Sequence, residues 1–164
     1  MNWDAGSWSV SGCTAAAETA MPTGFTGWEV SCADSDTARA FGKTFMPQGW
    51  DAGTVQFFLS MHHAASEAIT CLYDVTCQCV GDGEAYNATF TTEAAATEIS
   101  ITTTTLVDQM QYAGQSSAIT CTGTCAAGDM LRWELEVDAT GSGANCANSN
   151  LTNLKMEYTT NVGD

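Results

Sequence analysis

Positive charge is nearly missing from this chain. Its 164 residues hold 4 Lys+Arg against 19 Asp+Glu, a formal net charge of -15 at pH 7. A surface of that sign repels phosphate backbones, which excludes direct nucleic-acid binding. Long apolar runs are missing too, and none reaches the roughly 18 residues that a membrane-spanning helix needs. No Lys/Arg-led apolar stretch opens the chain, so the expectation is of no secretory signal peptide and no membrane partner. Proline (2 residues) and histidine (2 residues) are scarce. Helix-friendly sequence is confined to residues 14–20 and 92–98, each about two turns at most. Only 14% of residues are charged and 45% are hydrophobic, a balance too apolar for a disordered chain. One globular domain with a sizeable core is implied.

Cysteine, by contrast, is in excess. The eight residues are Cys13, Cys32, Cys71, Cys77, Cys79, Cys121, Cys125 and Cys146. An even count argues for disulfides, yet a chain made without an export signal meets a reducing cytosol. Three readings stand side by side. The protein is oxidised after release by lysis, as virus particles are; or a signal peptide has been removed; or several thiols are small buried apolar groups. The spacing leaves the pairing open: Cys121 and Cys125 close on each other or staple to Cys77 or Cys79. Cys13 and Cys32 are expected to clip the N-terminal segment.

Alternation of apolar and polar residues is the clearest pattern. Leu131, Trp133, Leu135 and Val137 alternate with Arg132, Glu134, Glu136 and Asp138. Val55, Phe57, Leu59 and Met61 do the same, as do Leu154, Met156 and Tyr158. Further strands are predicted over 37–46, 68–80, 99–105 and 115–122. In 68–80, Cys71, Tyr73, Val75, Cys77 and Cys79 share one face. Turn residues such as Gln48-Gly49, Gly81-Asp82-Gly83, Ala127-Gly128-Asp129 and Gly141-Ser142-Gly143 separate them. The fold class that follows is all-β, an antiparallel sandwich over 37–164, with residues 1–36 as an irregular N-terminal arm or extra layer.

The run Ala38–Ser66, then 81–90, resembles small β-rich virion structural proteins of tailed phages, many of them marine. Met46, Pro47, Trp50, Gly53 and Val55 match that family's step between two strands. Ala126–Asp138 matches its late strand, and Leu151, Met156 and Tyr158 its closing one. The resemblance spans about residues 37–160. Val137 stands where the family commonly has Arg, and the cysteine content exceeds the family pattern. The resemblance implies a jelly-roll-like virion protein, a capsid decoration (cement) protein or a fibre component, commonly trimeric.

Chemistry-bearing constellations are few. His62 and His63 are adjacent on a strand and point to opposite faces, so they cannot clasp one ion together. There is no serine nucleophile elbow and no His-Asp pair at useful spacing, so no catalytic residue, metal or cofactor is assigned. Zinc on Cys77, Cys79, Cys121 and Cys125 needs four converging thiolates, and the two spacings are not the usual knuckle. Asp82 and Glu84 offer calcium only two charges, and a turn explains them equally well. The sequons at Asn87 and Asn150 read as chance matches in a threonine-rich chain.

The resulting expectation is a capsid decoration protein made in the host cytoplasm and carried on the virion. Its partners would be two further copies and a major capsid or other virion protein. Trp3, Trp8, Trp28 and Trp50 are the candidate interface residues, with Phe58 and Tyr112 on otherwise polar faces. The alternative is a receptor- or glycan-binding module of a tail fibre, since glycan sites stack sugars on exposed aromatic rings; a cellular adhesin is a weaker third reading.

Overall fold

The computed structural model describes residues 1–14, 17–20, 26–33, 37–85, 97–141, 146 and 149–160. Among these residues eleven strands run in chain order: β1 (Asn2–Asp4), β2 (Ser9–Ser11), β3 (Ala17–Ala20), β4 (Thr26–Ser31), β5 (Arg39–Phe45), β6 (Trp50–His63), β7 (Thr70–Val80), β8 (Thr97–Thr102), β9 (Met110–Gln115), β10 (Met130–Val137) and β11 (Ser149–Thr160). They form two antiparallel sheets. One has the order β3-β4-β11-β6-β9, with β1 also paired to β11; the other has the order β2-β5-β10-β7-β8. The architecture is the expected all-β, jelly-roll-like sandwich.

The alternating residues decide how the sheets face each other. Phe57, Leu59 and Met61 of β6 and Leu151, Leu154 and Met156 of β11 are buried. So are Cys71, Tyr73 and Val75 of β7 and Leu131, Trp133 and Leu135 of β10. At about 25 cal/mol per Å² of apolar surface, each Leu, Val, Met and Phe among them stabilises the fold by about 1.5–3 kcal/mol. The Tyr73 hydroxyl donates to the Met61 sulfur at 3.5 Å, linking the two sheets through the core.

Two glycines let large side chains in. A Cβ on Gly42 would lie 2.2 Å from the indole of Trp133, its cross-strand partner. A Cβ on Gly114 would lie 2.4 Å from Ile101, where β9 closes against β8.

All eight cysteines are bridged: Cys13–Cys32, Cys71–Cys146, Cys77–Cys121 and Cys79–Cys125. The Cys13–Cys32 clip has the expected partners. It joins the end of β2, in one sheet, to the end of β4, in the other. Cys77 and Cys79 tie β7 to the long β9–β10 connection. That connection adds only isolated bridges, Val55 with Ile119 and Gln78 with Thr122. The strand predicted over 115–122 is therefore corrected: the continuous ladder ends at Gln115 and only isolated bridges follow, because Cys121 and Cys125 pull the segment onto β7.

Several sequence expectations need similar adjustment. Residues 17–20, helix-friendly in composition, form β3 against β4. Of 92–98, only Thr97 and Glu98 lie among the described residues, and they open β8. Residues 1–36 supply β1 and β4 to one sheet and β2 to the other. Trp8 packs edge-on against Trp133, with ring centroids 5.4 Å apart. Trp8 and Trp50 are 7% and 4% exposed, so both belong to this chain's own core rather than to an exposed interface. Trp28 is 46% exposed. The side chain of Trp3 lies outside the described residues, as does Asn87.

Candidate functional site

The outer face of the β1-β11-β6-β9 sheet is built around Ser60. Alternation along β6 sends Phe57, Leu59 and Met61 inward, and Phe58, Ser60 and His62 to the outside. At Ser60 both neighbouring strands slip. On β11 the pairing jumps from Leu151 opposite Met61 to Asn153 opposite Ser60, leaving Thr152 extra. On β9 it jumps from Gly114 opposite Leu59 to Gln111 opposite Met61, so Tyr112 and Ala113 share one position. Each bulge bends its strand and switches which face the following residues present. Two bulges on either side of one residue turn a flat sheet face into a trough.

That trough is a groove of about 500 Å³. Ser60 and Phe58 line it from β6, and Thr152, Asn153 and Lys155 from β11. Asn2 of β1 lines it on one side, and Met110 and Tyr112 of β9 on the other. The Thr152 hydroxyl donates to the Ser60 carbonyl at 3.1 Å, which holds the extra residue in place. Tyr112 is 71% exposed, so its ring is a free apolar face at the rim. The Lys155 ammonium sits 4.4 Å from the centre of the Phe58 ring and also donates to the Glu157 carboxylate. Phe58 and Tyr112 are thus the sequence-predicted aromatics that the structure brings to one site. Asn2, Ser60, Thr152 and Asn153 were missed as site residues.

The histidines do split between the two faces. His62, on the outer face two residues beyond Ser60, pairs with Glu29 at 2.6 Å and has Asp108 at 3.3 Å on its other nitrogen. His63 lies inside, with Ser149 at 3.1 Å on one ring nitrogen and Glu67 at 3.2 Å on the other. Although this places serine, histidine and carboxylate in one line, Ser149 and His63 are each 1% exposed. The line ties β6 to the start of β11 beneath the surface.

Among the described residues no group of three or more His, Cys, Asp or Glu side chains is arranged to hold a metal ion. The zinc alternative fails because its four thiols are consumed in two disulfides. At the acidic turn, Glu84 accepts the Gly81 N–H at 2.9 Å and Gly83 takes φ +82°, which is the turn reading. Asn150 sits mid-sheet, between Ser31 of β4 and His62 of β6.

Two carboxylates are shifted in opposite directions. Burial pushes Glu134 above its ordinary pKa, with Arg39 at 3.5 Å opposing the shift. Hydrogen bonds from the Thr159 hydroxyl and the Gly53 N–H hold Asp51 below its ordinary value.

No protein-family model matches this chain, and no curated protein does. Among solved structures it is similar to part of a cycloisomaltooligosaccharide glucanotransferase from Paenibacillus sp., complexed with cycloisomaltoheptaose. That likeness has a TM-score of 0.58 and 11% identity, and covers 94% of this chain but 18% of the enzyme. The chain is also similar to CBM35 from Paenibacillus barcinonensis, with a TM-score of 0.53 and 11% identity over 97% of this chain and 99% of that one. A third is the carbohydrate-binding module CBM36 in complex with calcium and xylotriose, at a TM-score of 0.49 and 14% identity, covering 96% and 99%. At 11% identity the likeness to the first two shows a shared β-sandwich fold.

Proposed function

We propose that this protein is a glycan-binding module and that the groove around Ser60 is its site. The observation that carries the reading is the pair of bulges flanking Ser60, which builds a trough with one exposed aromatic ring, Tyr112, a half-buried one, Phe58, and short polar side chains. Sugars present C–H-rich faces and hydroxyl edges. Tyr112 and Phe58 suit the faces, while the amides of Asn2 and Asn153 and the hydroxyls of Ser60 and Thr152 suit the edges. The carbohydrate-linked names of the glucanotransferase and CBM35 lend support at the level of fold.

This reading takes precedence over capsid decoration. The decoration reading rested on the resemblance over residues 37–160, with residues 1–36 as an arm carrying candidate interface tryptophans. Pairing of β1, β2 and β4 within the sheets, and burial of Trp8, speak against a free arm. Four disulfides suit work in an oxidising medium.

The test is affinity electrophoresis and calorimetry against a panel of polysaccharides, comparing the protein with its Tyr112→Ala variant. Losing one stacking anchor is expected to weaken binding about tenfold or more, some 1.4 kcal/mol. Binding that is the same with and without Tyr112 would refute this site.

A further inference from the structure

We infer that the groove takes an internal stretch of a linear, uncharged glycan, held by stacking and hydrogen bonds with no bridging metal ion. The inference rests on the glycan-binding reading and specifies its ligand.

Length comes from the strands. The lining is drawn from four laterally adjacent strands, β1, β11, β6 and β9, so the site crosses the sheet rather than forming a pit between two loops. Strands lie about 4.8 Å apart, which makes the path from Asn2 to Tyr112 about 14 Å. One sugar ring cannot fill such a path, whereas a chain of several rings can. Nor does recognition concentrate at one point: polar groups on β1, β6 and β11 are spread along it, which suits repeated hydroxyls better than a single chain end.

Charge decides the ligand's sign. The protein carries -15 overall, and its few basic residues are mostly elsewhere. Lys155, the one cation among the described residues of the lining, already donates to Glu157 and lies over Phe58. Beyond the Met110 end stand Glu29 and Asp108 on either side of His62. A polyuronate or sulfated chain would meet a repulsive field over its whole length, while a neutral chain would not.

Donor chemistry decides the metal question. A calcium ion bridging protein and sugar draws on carboxylate oxygens. Among the described residues the lining supplies amides, hydroxyls, a thioether, two aromatic rings and an ammonium, but no carboxylate.

The experiment is calorimetry on the full chain with xylo-, cello- and malto-oligosaccharides from monomer to hexamer. Polygalacturonate and alginate are titrated alongside, with and without EDTA. Tyr112→Ala and Phe58→Ala are run in parallel, and their melting curves confirm folding. Expected is a neutral series whose affinity climbs from monomer through about trimer and then levels off. Binding should be unaffected by EDTA or by capping the reducing end, and weakened about tenfold by Tyr112→Ala. Tyr112-dependent binding that prefers a polyuronate, vanishes in EDTA, or is as tight for the monosaccharide overturns this inference and leaves the glycan-binding reading standing. Absence of binding to every glycan tested, or binding indifferent to both aromatic substitutions, overturns the reading itself.

Discussion

Removing the Cys71–Cys146 bridge is expected to destabilise this protein more than removing Cys13–Cys32, by an amount set by loop length. The two bridges close segments with sequence separations of 75 and 19. If a bridge acts mainly by limiting the unfolded chain, these loops correspond to about 4.5 and about 3.2 kcal/mol. In a domain of this size 1 kcal/mol moves Tm by about 2–4 °C, so the losses are about 9–18 °C and 6–13 °C. Packing pushes in the same direction, because Cys71 and Cys146 are 0% and 4% exposed, while Cys13 is only half-buried. The assay is urea unfolding of Cys71→Ala/Cys146→Ala beside Cys13→Ala/Cys32→Ala, with alkylation of the denatured parent to count thiols. The parent should show none. Equal losses, or a greater loss at Cys13–Cys32, would refute the loop-length account; free thiols in the parent would refute the bridging itself.

Gly42→Ala is expected to cost about 1–3 kcal/mol, since its Cβ would overlap an indole that Trp8 already holds in place; chemical unfolding reads it, and an unchanged midpoint would show that the β5–β10 pair yields easily. The raised pKa of Glu134 means that the folded state holds its proton more tightly than the unfolded chain. Its contribution therefore falls as pH rises from the ordinary glutamate value to the raised one. Glu134→Gln should remove that decline, so the stability difference between variant and parent should grow across this window and then level off; a flat difference would count against burial as the cause. Asp51 has the opposite sign: its stabilising contribution, lost as pH falls through its lowered pKa, should disappear in Asp51→Asn.

Most of the sandwich was legible because burial on one face imposes period two. Leu131 to Val137 and Val55 to Met61 pair in register over nearly their whole length, and the predicted inward residues are the buried ones. The strands of residues 1–36 were not legible. β1 and β2 have three residues each, and β3 four, too few for alternation to declare itself. They hold their places through partners far along the chain, as when Asn2 pairs with Lys155. Of the disulfide partners, Cys13 with Cys32 was expected, the stapling of Cys121 and Cys125 to Cys77 and Cys79 was one of two alternatives, and Cys71 with Cys146 was hidden, because partners depend on which strands become neighbours.

The site was harder to read than the fold, for a reason that lies in the bulges themselves. A bulge breaks the alternation by which strands are recognised, so the segment that builds the groove looks like a weak strand or a strand end. On β11 the break does leave a mark: Leu151, Leu154 and Met156 are all buried, a spacing of three and then two. That phase slip falls at Thr152, the extra residue of the groove. On β9 no mark exists, because Gly114 takes the inward position opposite Leu59 and an empty side chain carries no hydrophobic signal. Tyr112, two residues earlier, would share the inward face of Gly114 in a regular strand. Only the slip puts it outside, 71% exposed. Deleting Ala113 should therefore do what no point substitution can: restore a regular β6–β9 register, with Tyr112 alone opposite Ser60 and still on the outer face. Such a variant is expected to stay folded but to bind glycan more weakly, because the bend that sets the tyrosine at the rim of the trough is lost. A deletion variant that folds and binds as tightly as the parent would mean that the β9 bulge does not shape the groove.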